Sequence, residues 1–205
     1  MYYGEKFNAL SHLAAALLAL AGAVVLVVLA SISGDPWKVV SVSVYGATLV
    51  LLYSFSTLYH SMRGRAKDIL QKFDHQGIYL LIAGSYTPFC LVTLRGPWGW
   101  SLLGTVWALA VAGSVQEFWQ QGSARIVSLV IYVVMGWAAL AATVPLTRAL
   151  GPAGFGWLAA GGAFYTVGII FYVLDKRVTH AHGIWHLFVI AGSAAHYVAI
   201  LKYVL

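Results

Sequence analysis

Histidine, aspartate and serine recur in this chain at spacings that could build a site for chemistry. The stretch HAHGIWH places His182 and His186 four residues apart, so on a helix they share one face with Cβ atoms about 6 Å apart. The stretch SFSTLYH repeats this spacing with Ser56 and His60. Two imidazoles one helical turn apart can bind a single metal ion. These two pairs are therefore the first candidates for a functional site.

A third stretch, KFDHQGIY, supplies two adjacent candidates, Asp74 and His75. Neighbouring side chains on a helix point about 100° apart, so only one of the two can face the other candidates. We select Asp74, because an unpaired carboxylate that faced lipid would be costly.

The chemistry of this set is that of an open zinc site. Three neutral imidazoles, from His60, His182 and His186, suit Zn²⁺ and leave one position for a water, whose pKa zinc lowers toward about 7. Asp74 could hold that water or take its proton, and Ser56 could donate a hydrogen bond to a developing oxyanion. The alternative is that each histidine contacts lipid headgroups or caps a helix. Haem ligation fits less well, since histidines one turn apart cannot sandwich a porphyrin.

Composition predicts that membrane helices position these residues. Of the 205 residues, 61% are hydrophobic and 9% are charged, whereas a soluble domain carries about 25% charged residues. Apolar runs long enough to cross a bilayer recur along the chain, without the alternation of a β-barrel. We expect an all-α, multi-pass protein of the cell membrane, with membrane lipids rather than nucleic acid as partners. Residues 1–205 would form one seven-helix transmembrane domain, with spans at roughly 9–31, 37–60, 74–94, 97–117, 124–146, 154–174 and 182–204.

Lysine and arginine predict the orientation of these spans. If the N-terminus is inside, eight of the twelve Lys and Arg residues lie on the inner side, as the positive-inside rule requires. The N-terminus is then cytoplasmic and the C-terminus is outside. This topology brings His60, Asp74 and the HAHGIWH stretch together near the cytoplasmic leaflet. His196 lies about 21 Å along its helix from His182 and cannot reach the same metal.

Further polar residues lie at the predicted inner ends of the spans. Glu5, Asn8 and His12 share one face of the first helix. We expect them to cap that helix or to bond between helices, with a role beside the metal site as the alternative. Glu117 ends the fourth span and is expected to be an interfacial cap.

The motifs GEKFNALSH, SFSTLYH, FDHQGIYLLIAGSYTP and HGIWHLFVIAGSAAHY resemble those of the bacterial hemolysin III family. That family belongs with the progestin and adipoQ receptors, which include the adiponectin receptors, and a broader grouping adds the alkaline ceramidases. The resemblance covers nearly the whole chain. Its signature is Ser-x₃-His on the second helix, Asp on the third and His-x₃-His on the seventh.

The resemblance implies a zinc ion held by His60, His182 and His186, with Asp74 touching the zinc-bound water and Ser56 adjacent. It also implies an inward N-terminus and, by analogy with ceramide hydrolysis, a zinc-dependent hydrolase of lipid amides or esters with a role in membrane-lipid homeostasis. Two other functions stay open. One is a non-enzymatic sensor or regulator with a structural zinc, and the other is a pore-former, which seven apolar spans disfavour.

Overall fold

The computed structural model describes residues 4–119 and 125–205, and these two ranges form helices joined by short turns, with no strand. This confirms the all-α prediction. Residue 124, where the fifth predicted span begins, lies outside the described residues. The helices are α1 (Lys6–Ser33), α2 (Pro36–Ser61), α3 (Gly64–Pro88, followed by a π-helical turn at Phe89–Thr93), α4 (Pro97–Trp119), α5 (Arg125–Trp137, followed by a 3₁₀ turn at Ala138–Ala142), α6 (Thr143–Val173) and α7 (Ala181–Tyr203).

Five helical stretches in the described ranges are long and apolar enough to cross a membrane. They are Lys6–Ser33, Pro36–Ser61, Pro97–Trp119, Ile126–Val173 and Ala181–Tyr203. The stretch Ile126–Val173 has 48 residues, or about 72 Å at 1.5 Å per residue, against about 30 Å of hydrocarbon. Gly151 interrupts it with the non-helical angles φ 69° and ψ 171°. Helix α3 is too polar to qualify, so the count of seven spans stays a prediction.

Helix α3 begins at Gly64, ten residues before residue 74, where the third predicted membrane span begins. The added segment RAKDILQK is rich in good helix formers, so the helix continues beyond the apolar run. It ends its regular α pattern at Pro88, where the missing backbone N–H favours the change to a π-helical turn. The early start places Lys67 and Asp74 on the same helix.

One end of each of three helices, α1, α2 and α7, lies where the candidate residues meet. Helix α2 ends one residue after His60, and α7 begins directly after His180, whose left-handed backbone (φ 64°) redirects the chain into the helix. The N-terminal end of α1 packs against α7 at Gly183. A Cβ atom on that glycine would overlap the ring of Phe7 and lie 2.9 Å from the side-chain oxygen of Asn8. Only glycine therefore allows α1 to approach this closely.

Candidate metal centre

Three histidines from two helices form a compact cluster. The ring nitrogens that His60, His182 and His186 offer as ligands all lie within 4.8 Å of one another. His60 is 2% exposed and His186 is fully buried, while His182 is partly buried. His182 and His186 follow each other by one turn at the start of α7, and His60 reaches them from the last turn of α2.

Two of these rings are oriented by carboxylates on their outer side. Nδ1 of His60 lies 2.7 Å from a carboxylate oxygen of Glu5, and Nδ1 of His182 lies 3.3 Å from one of Asp175. A carboxylate accepts hydrogen bonds, so we assign the proton of each ring to Nδ1. Nε2 of each neutral ring then carries a lone pair.

The third ring has a backbone partner instead. Nδ1 of His186 lies 3.3 Å from the carbonyl oxygen of Asn8 and 3.4 Å from the hydroxyl of Ser11. The Ser11 hydroxyl already donates to the same carbonyl at 3.0 Å, so it too acts as an acceptor toward the ring. His186 therefore donates from Nδ1, and its lone pair is also on Nε2.

The inner nitrogens of the cluster are all unsatisfied. Nε2 of His60, His182 and His186 is buried and has no hydrogen-bond partner in the described part of the chain. A buried acceptor without a donor is costly, and here three acceptors lie close together. A metal cation would satisfy all three lone pairs at once, and outer hydrogen bonds like those on the Nδ1 atoms are usual for metal-binding histidines. The residues present therefore fit a bound metal ion.

Glu5 links the start of α1 to the histidine cluster. It stands at the start of α1 without capping it, and it accepts hydrogen bonds from His60, from Lys67 at 2.7 Å and from Asn8 at 2.8 Å. Burial alone would raise the pKa of Glu5, but these three bonds outweigh burial and hold its pKa well below the usual range. Of the two roles expected for Glu5, capping α1 and bonding between helices, the structure shows the second.

Replacing Glu5 with glutamine should weaken metal binding about 10- to 100-fold, because the His60 ring loses the charged partner that fixes its orientation. Competition of the purified protein against a metal chelator measures this affinity. The matched control is Asp68→Asn, an exposed carboxylate on α3, which should leave the affinity unchanged. Equal affinities for wild type and Glu5→Gln would contradict a role for Glu5 at the centre.

Asp74 and Ser56 lie near His60, Ser56 one helical turn before it on α2. Both side chains are buried, at 7% and 1% exposure, and the Ser56 hydroxyl is within hydrogen-bonding reach of the Asp74 carboxylate. Asp74 is close enough to His60 to interact with it electrostatically, yet it is not one of the side chains whose ligand atoms cluster together. This position suits a residue that contacts a water or a substrate next to the metal.

His75 belongs to a different set of contacts. Its Nδ1 lies 2.6 Å from the carboxylate of Glu117 on α4, and the other oxygen of that carboxylate accepts a hydrogen bond from Ser128 on α5. Glu117, expected from the sequence to be an interfacial cap, thus joins three helices. His75 is therefore directed away from the histidine cluster, toward α4 and α5.

A fourth imidazole touches the cluster. The His12 ring stacks on His186, with ring centroids 3.6 Å apart and planes 10° apart, and meets Tyr53 edge-on. Because the stacked planes are nearly parallel, the in-plane lone pair of a neutral His12 lies in a separate plane and is not directed at a metal in the plane of His186. Neither nitrogen of His12 has a partner among the described residues.

The polar residues His12, Ser56 and Asp74 line one end of an internal cavity of about 210 Å³. The rest of its wall is largely apolar and aromatic, and includes Leu81, Ile82, Phe89, Leu102, Leu146 and Phe155. Leu140 and Thr166 line the cavity and are also exposed on the outside of the bundle. The cavity therefore reaches the lipid-facing surface near α5 and α6.

The fold and this cluster define a helical, multi-pass membrane protein of the cell membrane with a buried three-histidine centre that could bind a metal ion. The chain belongs to the haemolysin-III related family, whose family model matches residues 2–197. It is 43% identical over 202 residues to "Hemolysin-3" of Bacillus cereus, covering 98% of this chain and 92% of that protein. It is also 43% identical over 200 residues to "Hemolysin-3 homolog" of Bacillus subtilis, covering 97% and 93%.

A more distant relative is animal. The chain is 30% identical over 178 residues to "Monocyte to macrophage differentiation factor" of Homo sapiens, covering 84% of this chain and 74% of that protein. These matches confirm the predicted resemblance to the hemolysin III family within the progestin and adipoQ receptor superfamily.

Proposed function

We propose that this protein is a zinc-dependent intramembrane hydrolase that cleaves amide or ester bonds of membrane lipids and so contributes to lipid homeostasis. One observation carries the proposal. Three buried imidazole nitrogens with unused lone pairs form one cluster, and Asp74 and Ser56, which lie near His60, line an apolar cavity. Zinc is the metal that best fits three neutral imidazoles with one position left open.

The cavity supports a lipid as the substrate. Its wall is mostly apolar and aromatic, and it reaches the lipid-facing surface near Leu140 and Thr166. An acyl chain could therefore enter from the bilayer and lie among Leu81, Phe89 and Leu102, with its carbonyl at the polar end. For a lipid that is dispersed in water, binding in the cavity removes the apolar surface of its chain from water. The bound state is stabilised in proportion to that area.

The residues around the centre have complementary roles. Bound zinc would supply Lewis-acid activation of a water and of the scissile carbonyl. The Asp74 carboxylate accepts a proton from the attacking water and delivers it to the leaving nitrogen or oxygen. The water oxygen ends in the carboxylic acid product, and its two hydrogens are shared between the acid and the leaving amine or alcohol. The Ser56 hydroxyl donates its one hydrogen to the Asp74 carboxylate and so orients that carboxylate toward the attacking water.

We also propose seven membrane crossings, with the N-terminus in the cytoplasm and the C-terminus outside. The break at Gly151 supports two crossings within Ile126–Val173, and α3 adds a crossing whose polar residues face the interior of the bundle. The distribution of lysine and arginine supports the orientation. With this topology the three histidines lie toward the cytoplasmic side.

One observation favours a second function, a lipid-state regulator with a structural metal. His60, His182 and His186 themselves do not line the cavity, while His12, Ser56 and Asp74 do. A metal closed off from the cavity would hold α2 and α7 together without chemistry. The two functions differ in whether the metal is required for turnover.

Detergent-purified protein loaded with zinc should therefore hydrolyse at least one member of a panel of ceramides, acyl esters and phospholipids. Treatment with a chelator should abolish this activity and added zinc should restore it, because the proposed chemistry requires the metal. Release of free fatty acid, measured by mass spectrometry, is the readout. Protein that contains one zinc per chain and cleaves no member of the panel would favour the structural metal instead.

A further inference from the structure

A second polar position lies in the same cavity, well away from the metal centre. Among the described residues that line the cavity, His12 and His196 are the two with buried polar atoms that lack a hydrogen-bond partner. His12 lies at the metal end. His196 is 9% exposed and follows His186 by ten residues on α7, which is about 15 Å along the helix axis.

The contacts of His196 define which nitrogen is available. Its Nε2 lies 3.2 Å from the backbone carbonyl oxygen of Leu158 on α6, and the same edge of the ring packs so closely on Gly161 that a Cβ there would overlap it. A carbonyl oxygen only accepts, so Nε2 carries the proton. Nδ1 of the neutral ring is then a buried acceptor that requires a donor.

The neighbouring polar groups do not supply that donor. The Tyr165 ring, 5.5 Å from His196 between centroids, has its hydroxyl paired with Ser193 at 2.8 Å, and Ser193 also accepts from Tyr53 at 2.8 Å. The Thr166 hydroxyl donates to the carbonyl of Gly162 at 2.7 Å. None of these hydroxyls lies within hydrogen-bonding distance of His196 Nδ1, which has no partner among the described residues. The donor that Nδ1 requires therefore comes from a molecule in the cavity.

We propose that His196 is a recognition site for a hydroxyl group carried on the apolar chain of a bound lipid, with Nδ1 accepting the hydrogen bond. The ligand class is a hydroxylated acyl chain whose hydroxyl lies about 15 Å from the group at the metal end. An isolated acceptor in an apolar wall discriminates well between hydroxylated and unmodified chains, because a chain without a hydroxyl leaves Nδ1 unpaired. The inference rests on the proposed function only in that a lipid chain occupies the cavity; it does not require turnover.

The test is a competition experiment on the full-length, detergent-purified protein. A fluorescent fatty acid is displaced by saturated fatty acids of one length that carry a hydroxyl at successive positions, or none. We expect one hydroxyl position to bind about fivefold more tightly than the unmodified chain, as one net hydrogen bond allows. Free fatty acids contain no amide or ester bond, so the displacement reports binding alone.

Two variants of His196 separate recognition from folding. His196→Gln keeps a donor for the Leu158 carbonyl but removes the acceptor at the Nδ1 position. The ratio of the affinity for the preferred hydroxylated chain to that for the unmodified chain should therefore fall to about one. His196→Asn places an amide oxygen near the Nδ1 position and should retain a preference. Thermal unfolding of both variants shows whether either has lost its fold.

Each outcome decides the inference. A preference that survives in folded His196→Gln, or wild-type binding that is equal for all chains, would overturn it and would mean that an ordered water satisfies Nδ1. A failure of every fatty acid to displace the probe would overturn it together with the premise of a lipid cavity. A clear preference without hydrolysis of any lipid would support the site at His196 and count against the hydrolase.

Discussion

In the Asp74→Asn variant we expect the zinc content to stay at the wild-type level and lipid hydrolysis to fall by about 10²- to 10⁴-fold. Asparagine keeps the shape of aspartate and can still bond to Ser56, but it cannot accept a proton from water. A general base typically contributes a factor of this size. The measurement pairs elemental mass spectrometry with fatty-acid release by the same preparation.

The control for this variant is Asp68→Asn, which removes an equal charge from an exposed position on the same helix. It should change neither zinc content nor turnover. Loss of zinc from Asp74→Asn would show that Asp74 is a direct ligand. Unchanged turnover with zinc retained would contradict its role in proton transfer.

The largest effect on metal content is expected from His186→Ala. This residue is fully buried, and its Nε2 is one of the three unsatisfied lone pairs. Two imidazoles on different helices bind zinc far less tightly than three, so the zinc content should fall from about one per chain to nearly none. The change also leaves a void beside His12 and so lowers stability.

His180→Ala is the matched control for His186→Ala. His180 belongs to the same HAHGIWH stretch, but it is exposed and precedes α7 with a left-handed backbone. Its removal should leave the zinc content unchanged. Equal zinc loss in both variants would mean that the loss comes from disturbance of the α6–α7 connection rather than from a ligand.

The sequence predicts the helices and the central cluster well, because both depend on local patterns. Long apolar runs predict membrane helices, and the four-residue spacing places His182 and His186 on one face. The positions of His60 and Asp74 relative to α7 required one more step, the assumption that the spans alternate in direction. The family motifs then joined the same residues into one site.

The outer partners of the histidines could not be predicted in this way. Glu5 and Asp175 reach His60 and His182 through the packing of α1 on α2 and through the turn before α7. Such contacts depend on tertiary structure, and an acidic residue at a helix start is usually read as a cap. The stacking of His12 on His186 likewise depends on the close approach of α1 and α7 at Gly183.

The start of helix α3 and the start of the predicted third span are different things. Hydropathy marks where a segment becomes apolar, here near residue 74, whereas the helix itself begins ten residues earlier at Gly64. The polar first half of α3 matters for the site, since Lys67 bonds to Glu5 from there.

The most direct test of the three-histidine centre is the zinc content of the wild-type protein, purified in detergent without chelator and measured by elemental mass spectrometry beside His186→Ala and His180→Ala. We predict about one zinc per chain in wild type and in His180→Ala, and almost none in His186→Ala. Wild-type protein that holds no zinc, and takes up none when it is added, would contradict the account, and the buried Nε2 atoms would then need another partner.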